Sequence, residues 1–354
     1  MLKIISSAID TIELSIRINV RLEVISRVAD AKRAAKDAGE KAELVLGGHR
    51  FLVPAHGAGM YLYLLNNKDF DIKISPSKMI PAVAVRIRSI YLHEVGAEHA
   101  ARIILDFAKS IREEPEIEFD PYLRLKRLDI CVDFQGWEPN LEDFHNFSCR
   151  AKKRGVYFEG DIPNYYRFGE KNMLVRIYNK TEELKVSNKS WMNEVWQISN
   201  EFDDQIPVWR LEVQLRRDAL KSLMVLSIDD ALKNLGGIWR YAMEWLELKQ
   251  ASSNKQKSRR PLDPRWQHLK NSVSFRKNAC KKVRYSKRKA EEVRLVRAGG
   301  GYLTSLAALY GDYDIRNALL RFGIQYQKYL AGRGVDFITI VQGKIDKQEE
   351  DVPF

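Results

Sequence analysis

Residues Met173–Glu183 read MLVRIYNKTEE. Met173–Ile177 are apolar except for Arg176, which predicts a short strand. Asn179, Lys180, Glu182 and Glu183 then open a turn or the start of a helix. Tyr178 therefore stands where strand gives way to helix, with a cation on each side, Arg176 and Lys180. A phenol is a poor nucleophile at its ordinary pKa of roughly 10. Neighbouring cations favour the phenolate, and a metal-bound phosphate would be the better electrophile. The same stretch also suits a strand aromatic packed on the core, so its meaning depends on its surroundings.

Two further segments supply them, RLDICVDF at Arg127–Phe134 and WRLEVQLRRD at Trp209–Asp218. Both alternate polar and apolar residues at period two and read as strands. Asp129 and Asp133 share one face of the first, and Leu128, Ile130 and Val132 share the other. Arg210, Glu212, Gln214 and Arg216 share a face of the second, opposite Leu211, Val213 and Leu215. Carboxylates are costly to bury unpaired, so they point either to a hard cation or to arginine partners. Oxygen ligands suit Mg2+ or Mn2+. Ion pairing with Arg127, Arg210 or Arg216 on a solvated sheet face fits the same pattern.

In this order and spacing, RLDICVDF, RIYNKTEE and WRLEVQLR resemble the Rep_trans family of rolling-circle replication initiators of plasmids, filamentous phages and mobile elements. The resemblance covers about 90 residues, 127–217. It implies a nicking and joining domain of the Rep or relaxase kind, acting as a site-specific DNA endonuclease and strand transferase at a replication origin. Tyr178 would attack a DNA phosphodiester and become linked to the 5′ end, with Lys180 and Arg176 stabilising the phosphoryl oxygens. Asp129, Asp133 and Glu212 would hold Mg2+ or Mn2+. Plasmid members tend to carry a glutamate where this chain has Gln214, and a neutral amide is a weaker ligand. The implied partners are origin DNA, as duplex and as single-stranded hairpin, a host helicase and a second copy of the chain. The implied setting is the cytoplasm of a bacterial host. A non-catalytic DNA-binding regulator, or a nickase for conjugative transfer or transposition, would use the same residues.

The rest of the chain predicts an α+β fold, an antiparallel sheet with flanking helices. Strands are expected over 11–20, 70–75, 82–92, 125–134 and 156–161, and hairpins around Gly57 and Gly59. Helices are expected over 21–42, after Gly96, over 141–153 and over 220–248, the last with a break at Gly236–Gly237. None of the six histidines forms a His-x-His pair, so the two-histidine metal motif of many nickases is missing. Three cysteines, Cys131, Cys149 and Cys280, show neither paired nor metal spacing, which suits a reducing compartment. No apolar run reaches the roughly 18 residues that span a bilayer.

The formal net charge is +12, yet residues 251–300 carry 16 Lys and Arg against 3 Asp and Glu, a net of +13. The basic excess is thus concentrated in one stretch, which points to a polyanion. Trp266, Phe275 and Tyr285 interleave its cations and could stack on bases. Lys281, Lys282, Arg284, Lys287 and Arg288 are candidate DNA contacts there, with Arg86, Arg88, Arg210 and Arg216 on the predicted strands. The sequence divides into a catalytic domain over 1–250, a polar linker over 251–264, and a basic helical region over 265–354. Leu303, Leu306, Leu309, Leu319, Leu320 and Tyr326 are its expected core, and KIDKQEEDVPF its expected disordered tail.

Overall fold

The computed structural model describes residues 1–114, 120–187, 189–254, 256–273 and 287–350. Its strands are β1 (Lys3–Ile16), β2 (Ala42–Leu46), β3 (His49–Val53), β4 (Tyr63–Asn66), β5 (Phe70–Ile74), β6 (Val83–Ile87), β7 (Leu123–Gln135), β8 (Phe147–Cys149), β9 (Arg154–Glu159), β10 (Ile162–Gly169), β11 (Met173–Asn179), β12 (Trp209–Arg216) and β13 (Leu246–Leu248). The helices are α1 (Leu22–Ala38), α2 (Ser89–Ile111), α3 (Leu141–Asn146), α4 (Lys180–Val186), α5 (Met192–Gln197), α6 (Arg217–Ser222), α7 (Ile228–Trp245), α8 (Pro264–Ser272), α9 (Lys287–Leu309), α10 (Ile315–Ala331) and α11 (Phe337–Glu350).

Eleven strands form one sheet in the order β2-β3-β4-β5-β6-β1-β7-β12-β11-β10-β9, and β13 pairs with β8 in a second. Neighbouring strands run antiparallel, so the chain is an α+β protein built on a large antiparallel sheet. Alternation sets the two faces. Leu128, Ile130, Val132 and Phe134 of β7 and Leu211, Val213 and Leu215 of β12 are wholly buried in the main core, together with Ile104 and Phe107 of α2 and Ile238 and Ala242 of α7. The opposite face is polar. A smaller cluster of Ile5, Met192, Trp196 and Val208 covers one end of it through α5.

Several predicted elements end elsewhere. The strand over 82–92 stops at Ile87. The Arg88 N–H donates to the Asp69 carbonyl at 2.9 Å, and α2 starts at Ser89, kinked at Gly96 where φ is +79°. The helix over 141–153 is only α3. An Asn140–Asp143 capping box starts it, and the chain then turns extended at Phe147, which is buried. The break in 220–248 falls at Met224 (φ +59°), before a Ser227–Asp230 capping box, while α7 runs on through Gly236–Gly237. The β2–β3 hairpin turns at Gly47–Gly48, both at positive φ. Strand β10 was not anticipated, because Pro163 and Asn164 interrupt its pattern.

The chain divides into two compact units, Met1–Val283 and Arg284–Phe354. The predicted linker lies inside the first. Gln250 N–H donates to Pro261 O at 2.9 Å and Asp263 N–H to Leu248 O at 3.0 Å, folding 251–264 back onto β13. Beyond it, Trp266 is fully buried and its indole donates to Met243 O at 3.1 Å. In the second unit α9 gives way at Gly311 (φ +64°), as predicted, to α10. Among the described residues its buried side chains are Ala318 and Leu330, whereas Leu309, Leu319 and Leu320 are exposed. Helix α11 takes in most of the tail expected to be disordered, and 351–354 lie outside the described residues.

Candidate active site

Residues directly opposite in an antiparallel sheet share a face, so the register builds the site in rows. One row is Tyr165–Tyr178–Arg210–Asp133, across β10, β11, β12 and β7. The next is Arg167–Arg176–Glu212–Cys131, and the next places Gln214 against Asp129, with Thr11 of β1 beyond. The three sequence motifs therefore meet on adjacent strands, on the polar face.

A cleft of about 520 Å³ opens over these rows. At its centre the Tyr178 hydroxyl donates to Glu212 Oε2 at 3.0 Å. The other Glu212 oxygen accepts from the Arg176 guanidinium, which lies 3.7 Å from Asp129 Oδ2. Arg127 Nε donates to Asp129 Oδ1 at 2.8 Å, and Arg127 Nη1 to Glu13 at 3.2 Å. Asn179 ends the strand and caps α4, its side chain accepting from the Glu182 N–H at 3.1 Å.

Burial pushes the Asp129 carboxyl up to about 7, with Arg127 opposing and the charge of Glu212 adding. Burial also raises the Tyr178 phenol well above its ordinary range, and Glu212 adds to this while Arg210 opposes it. The resting side chain is thus a phenol hydrogen-bonded to a carboxylate. The two flanking cations expected to favour the phenolate are paired elsewhere, Arg176 with Glu212 and Lys180 with Glu183.

The structure brings Tyr178, Arg176, Asp129 and Glu212 together and places three other expected residues elsewhere. Asp133 is wholly buried and does not line the cleft. Its Oδ1 accepts from Arg210 Nε at 2.6 Å, and its Oδ2 from Arg210 Nη2 (2.8 Å), Trp196 Nε1 (2.8 Å) and Ser6 Oγ (3.0 Å). No oxygen is left facing a metal. Arg210 is equally buried and also holds Asp10 at 2.8 Å, so it is closed to DNA. Lys180 is buried too, paired with Glu183, and its ammonium lies 5.7 Å from the Tyr178 ring.

Arg86 is exposed and lines the cleft. Arg88 pairs with Asp71 in a neighbouring hollow that Arg86 also lines. Arg216 is exposed at the far end of β12. Gln214 is buried and off the cleft. Lys281, Lys282 and Arg284 lie outside the described residues, and Lys287 and Arg288 begin α9.

Sequence reasoning missed Asp10, Asn164, Tyr165 and Lys189, all on the cleft. A register shift between Ile9 and Thr11 hides Asp10, because it breaks the alternation of β1.

The described residues contain no group of three or more His, Cys, Asp or Glu able to hold a metal. Asp129 and Glu212 are a two-carboxylate set on the cleft, of the kind that binds Mg2+ or Mn2+ when water and phosphate oxygens fill its other positions, but a metal there would have to displace Arg127, Arg176 or Tyr178 from the oxygens they now donate to. Asp10, Glu182 and Glu183 of the cleft lining are paired with Arg210, Lys185 and Lys180, and Asp129 and Glu212 with Arg127 and Arg176.

No protein-family model matches the chain, and neither does any curated protein. Among solved structures the chain is similar to the rolling circle replication initiator protein from Geobacillus stearothermophilus. That match has 16% identity and a TM-score of 0.45, and covers 80% of this chain and 99% of that one. No described helix is long and apolar enough to cross a membrane.

Proposed function

We propose that this chain nicks one DNA strand by tyrosine transesterification and rejoins it, as the initiator of rolling-circle replication. The carrying observation is the 3.0 Å hydrogen bond from the Tyr178 hydroxyl to Glu212 inside a polar cleft. The resemblance of the three motifs points the same way.

Glu212 Oε2 takes the phenolic proton as Tyr178 Oη attacks the scissile phosphorus in line. The new P–Oη bond forms as the P–O3′ bond breaks, and the 3′ oxygen leaves as a hydroxyl after taking a proton from solvent. Attack by a 3′-hydroxyl on the phosphotyrosine reverses the sequence, and the retained phosphodiester energy makes a nucleotide cofactor unnecessary. Arg176 would stabilise the phosphoryl oxygens, and Lys189, a cation on the cleft, would take the role expected of the buried Lys180. Asp129 and Glu212 would hold Mg2+ or Mn2+, which would polarise the scissile phosphate. Asp133, Arg210 and Trp196 fix the geometry beneath. Origin DNA, melted or extruded as a hairpin, is the substrate in this reading, with a host helicase and a second copy of the chain as partners in a bacterial cytoplasm.

The raised pKa of Tyr178 favours a second reading, a DNA-binding regulator without catalysis. A supercoiled plasmid carrying the element's own replication region separates the two. With Mg2+ or Mn2+, wild type is expected to give nicked DNA with a protease-sensitive 5′ adduct, and Tyr178→Phe none. A retarded but uncut plasmid would overturn the nicking reading.

A further inference from the structure

Two rows run from the nucleophile to the free edge of the sheet. One is aromatic. Tyr178 faces Tyr165 with ring centroids 5.9 Å apart, and Tyr165 faces Tyr157 of β9 at 5.2 Å, edge to face. Tyr157 is half exposed. The other row is cationic. Arg176 stands directly opposite Arg167, and Arg167 opposite Gly155, where no side chain fills the face. Like charges placed opposite each other across a sheet repel. Glu212 and Asp129 neutralise Arg176, whereas Arg167 hydrogen-bonds the Gly169 carbonyl at 3.4 Å and has no ion pair within 4 Å among the described residues. Lys152, Lys153 and Arg154 join Arg167 around a separate hollow of about 470 Å³, against Glu170 as its one carboxylate. Glu170 pairs with Lys153 at 2.8 Å. The hollow beside this edge thus carries excess positive charge.

We infer that the β9–β10 edge is a binding site for unpaired nucleotides of the DNA strand next to the scissile phosphate, with bases on Tyr157 and Tyr165 and a phosphate on Arg167. Strands lie about 4.8 Å apart, so the rows span about 10 Å from β11 to β9, the reach of two or three stacked nucleotides at ~3.4 Å each. Exposed ring faces accept only unpaired bases and accept any of them, and a flanking cation row follows the backbone. The site is therefore selective for single strands and tolerant of sequence. The assignment rests on the nicking reading for its position relative to the scissile bond, but single-strand binding can be measured without cleavage.

The test uses the full chain carrying Tyr178→Phe, without divalent ions, and the fluorescence anisotropy of a short mixed-sequence single strand and of its duplex. Adding Tyr157→Ala is expected to weaken single-strand binding roughly tenfold and leave duplex binding within about twofold. Tyr157→Phe, which keeps the ring, should bind like its parent and so controls for folding. Arg167→Ala should weaken single-strand binding and lower the slope of log K on log salt by about 0.7. Unchanged single-strand affinity in Tyr157→Ala and Arg167→Ala overturns the inference, as does a parallel loss on duplex. A chain that leaves its origin plasmid uncut but loses single-strand affinity in these variants would refute the nicking reading and keep this site. One that nicks but binds normally in these variants would do the reverse.

Discussion

Glu212 is the residue on which the chemistry turns. It accepts the Tyr178 proton-bearing hydrogen bond on one oxygen and Arg176 on the other. Glu212→Gln keeps an acceptor of the same shape but one that takes no proton. Nicking is expected to fall by about 10²–10⁴, the usual worth of a positioned base, with the fold retained by circular dichroism. Wild-type rates in Glu212→Gln would remove it as the base. His93 has a different role. Its Nε2 is buried with no hydrogen-bond partner among the described residues, and its ring lies 5.2 Å from Trp191. Burial, then Arg210, hold it below its usual 6.5, against the pull of Asp10 and Asp133, while Lys180 adds to the lowering. The fold thus favours neutral imidazole. Its contribution is complete above pH 6.5 and is lost as pH falls through the folded value. His93→Phe should flatten the decline of Tm below pH 6.5, which thermal melts across pH 5–8 would show. Alternation put Asp129 and Glu212 on the polar faces of their strands, and the resemblance of the three motifs joined them to Tyr178 and Arg176. Alternation says nothing of what covers that face, which is why Asp133, Lys180 and Arg210 were read as open to ligand.

At the scale of elements, α5 makes the difference between the two ends of the polar face. Trp196 brings an indole donor onto Asp133 and shuts the Asp133–Arg210 pair from water. In the sequence this stretch reads as a polar connection carrying Trp191 and Trp196, with no periodicity that announces a cover. Burial raises Asp133, but Arg210 outweighs it and holds the carboxyl below its ordinary range. Such a pair ties β7 to β12, and losing one member leaves the other charged in a dry site. Asp133→Ala is expected to cost about 3–5 kcal/mol in urea unfolding, because Asp10 only partly compensates Arg210. A cost under about 1 kcal/mol would mean that water reaches Arg210 and that α5 does not seal it. The long strands were easier to foresee than their limits. Burial of Val83, Val85 and Ile87 sets β6, and the turn at Arg88 depends on a backbone bond to Asp69 that no local pattern announces.

For the whole molecule, composition and packing divide the chain at different places. The basic run begins near residue 251 and suggested a linker there, since polar, proline-bearing stretches usually separate domains. Packing overrides composition. Trp266 and Leu269 are fully buried in the main core, Trp239 donates its indole to Leu269 O at 3.1 Å, and Arg265 reaches Asp143 Oδ1 at 2.7 Å. Residues 256–273 thus close the first unit although they carry part of the charge. Two truncations separate these descriptions. A chain ending at Val283 keeps every one of these contacts and is expected to melt cooperatively near the full-length temperature. A chain ending at Gln250 uncovers Phe147, Leu248 and Met243 and loses Trp266, a change of the size of deleting a buried aromatic, about 3–5 kcal/mol. It should melt much lower or aggregate. Both chains melting alike would restore the boundary at 251–264. The chain ending at Val283 also removes part of the basic run, including Arg284, Lys287 and Arg288, and leaves the cleft intact. Its duplex affinity should fall and depend less steeply on salt, while single-strand affinity at the sheet edge persists.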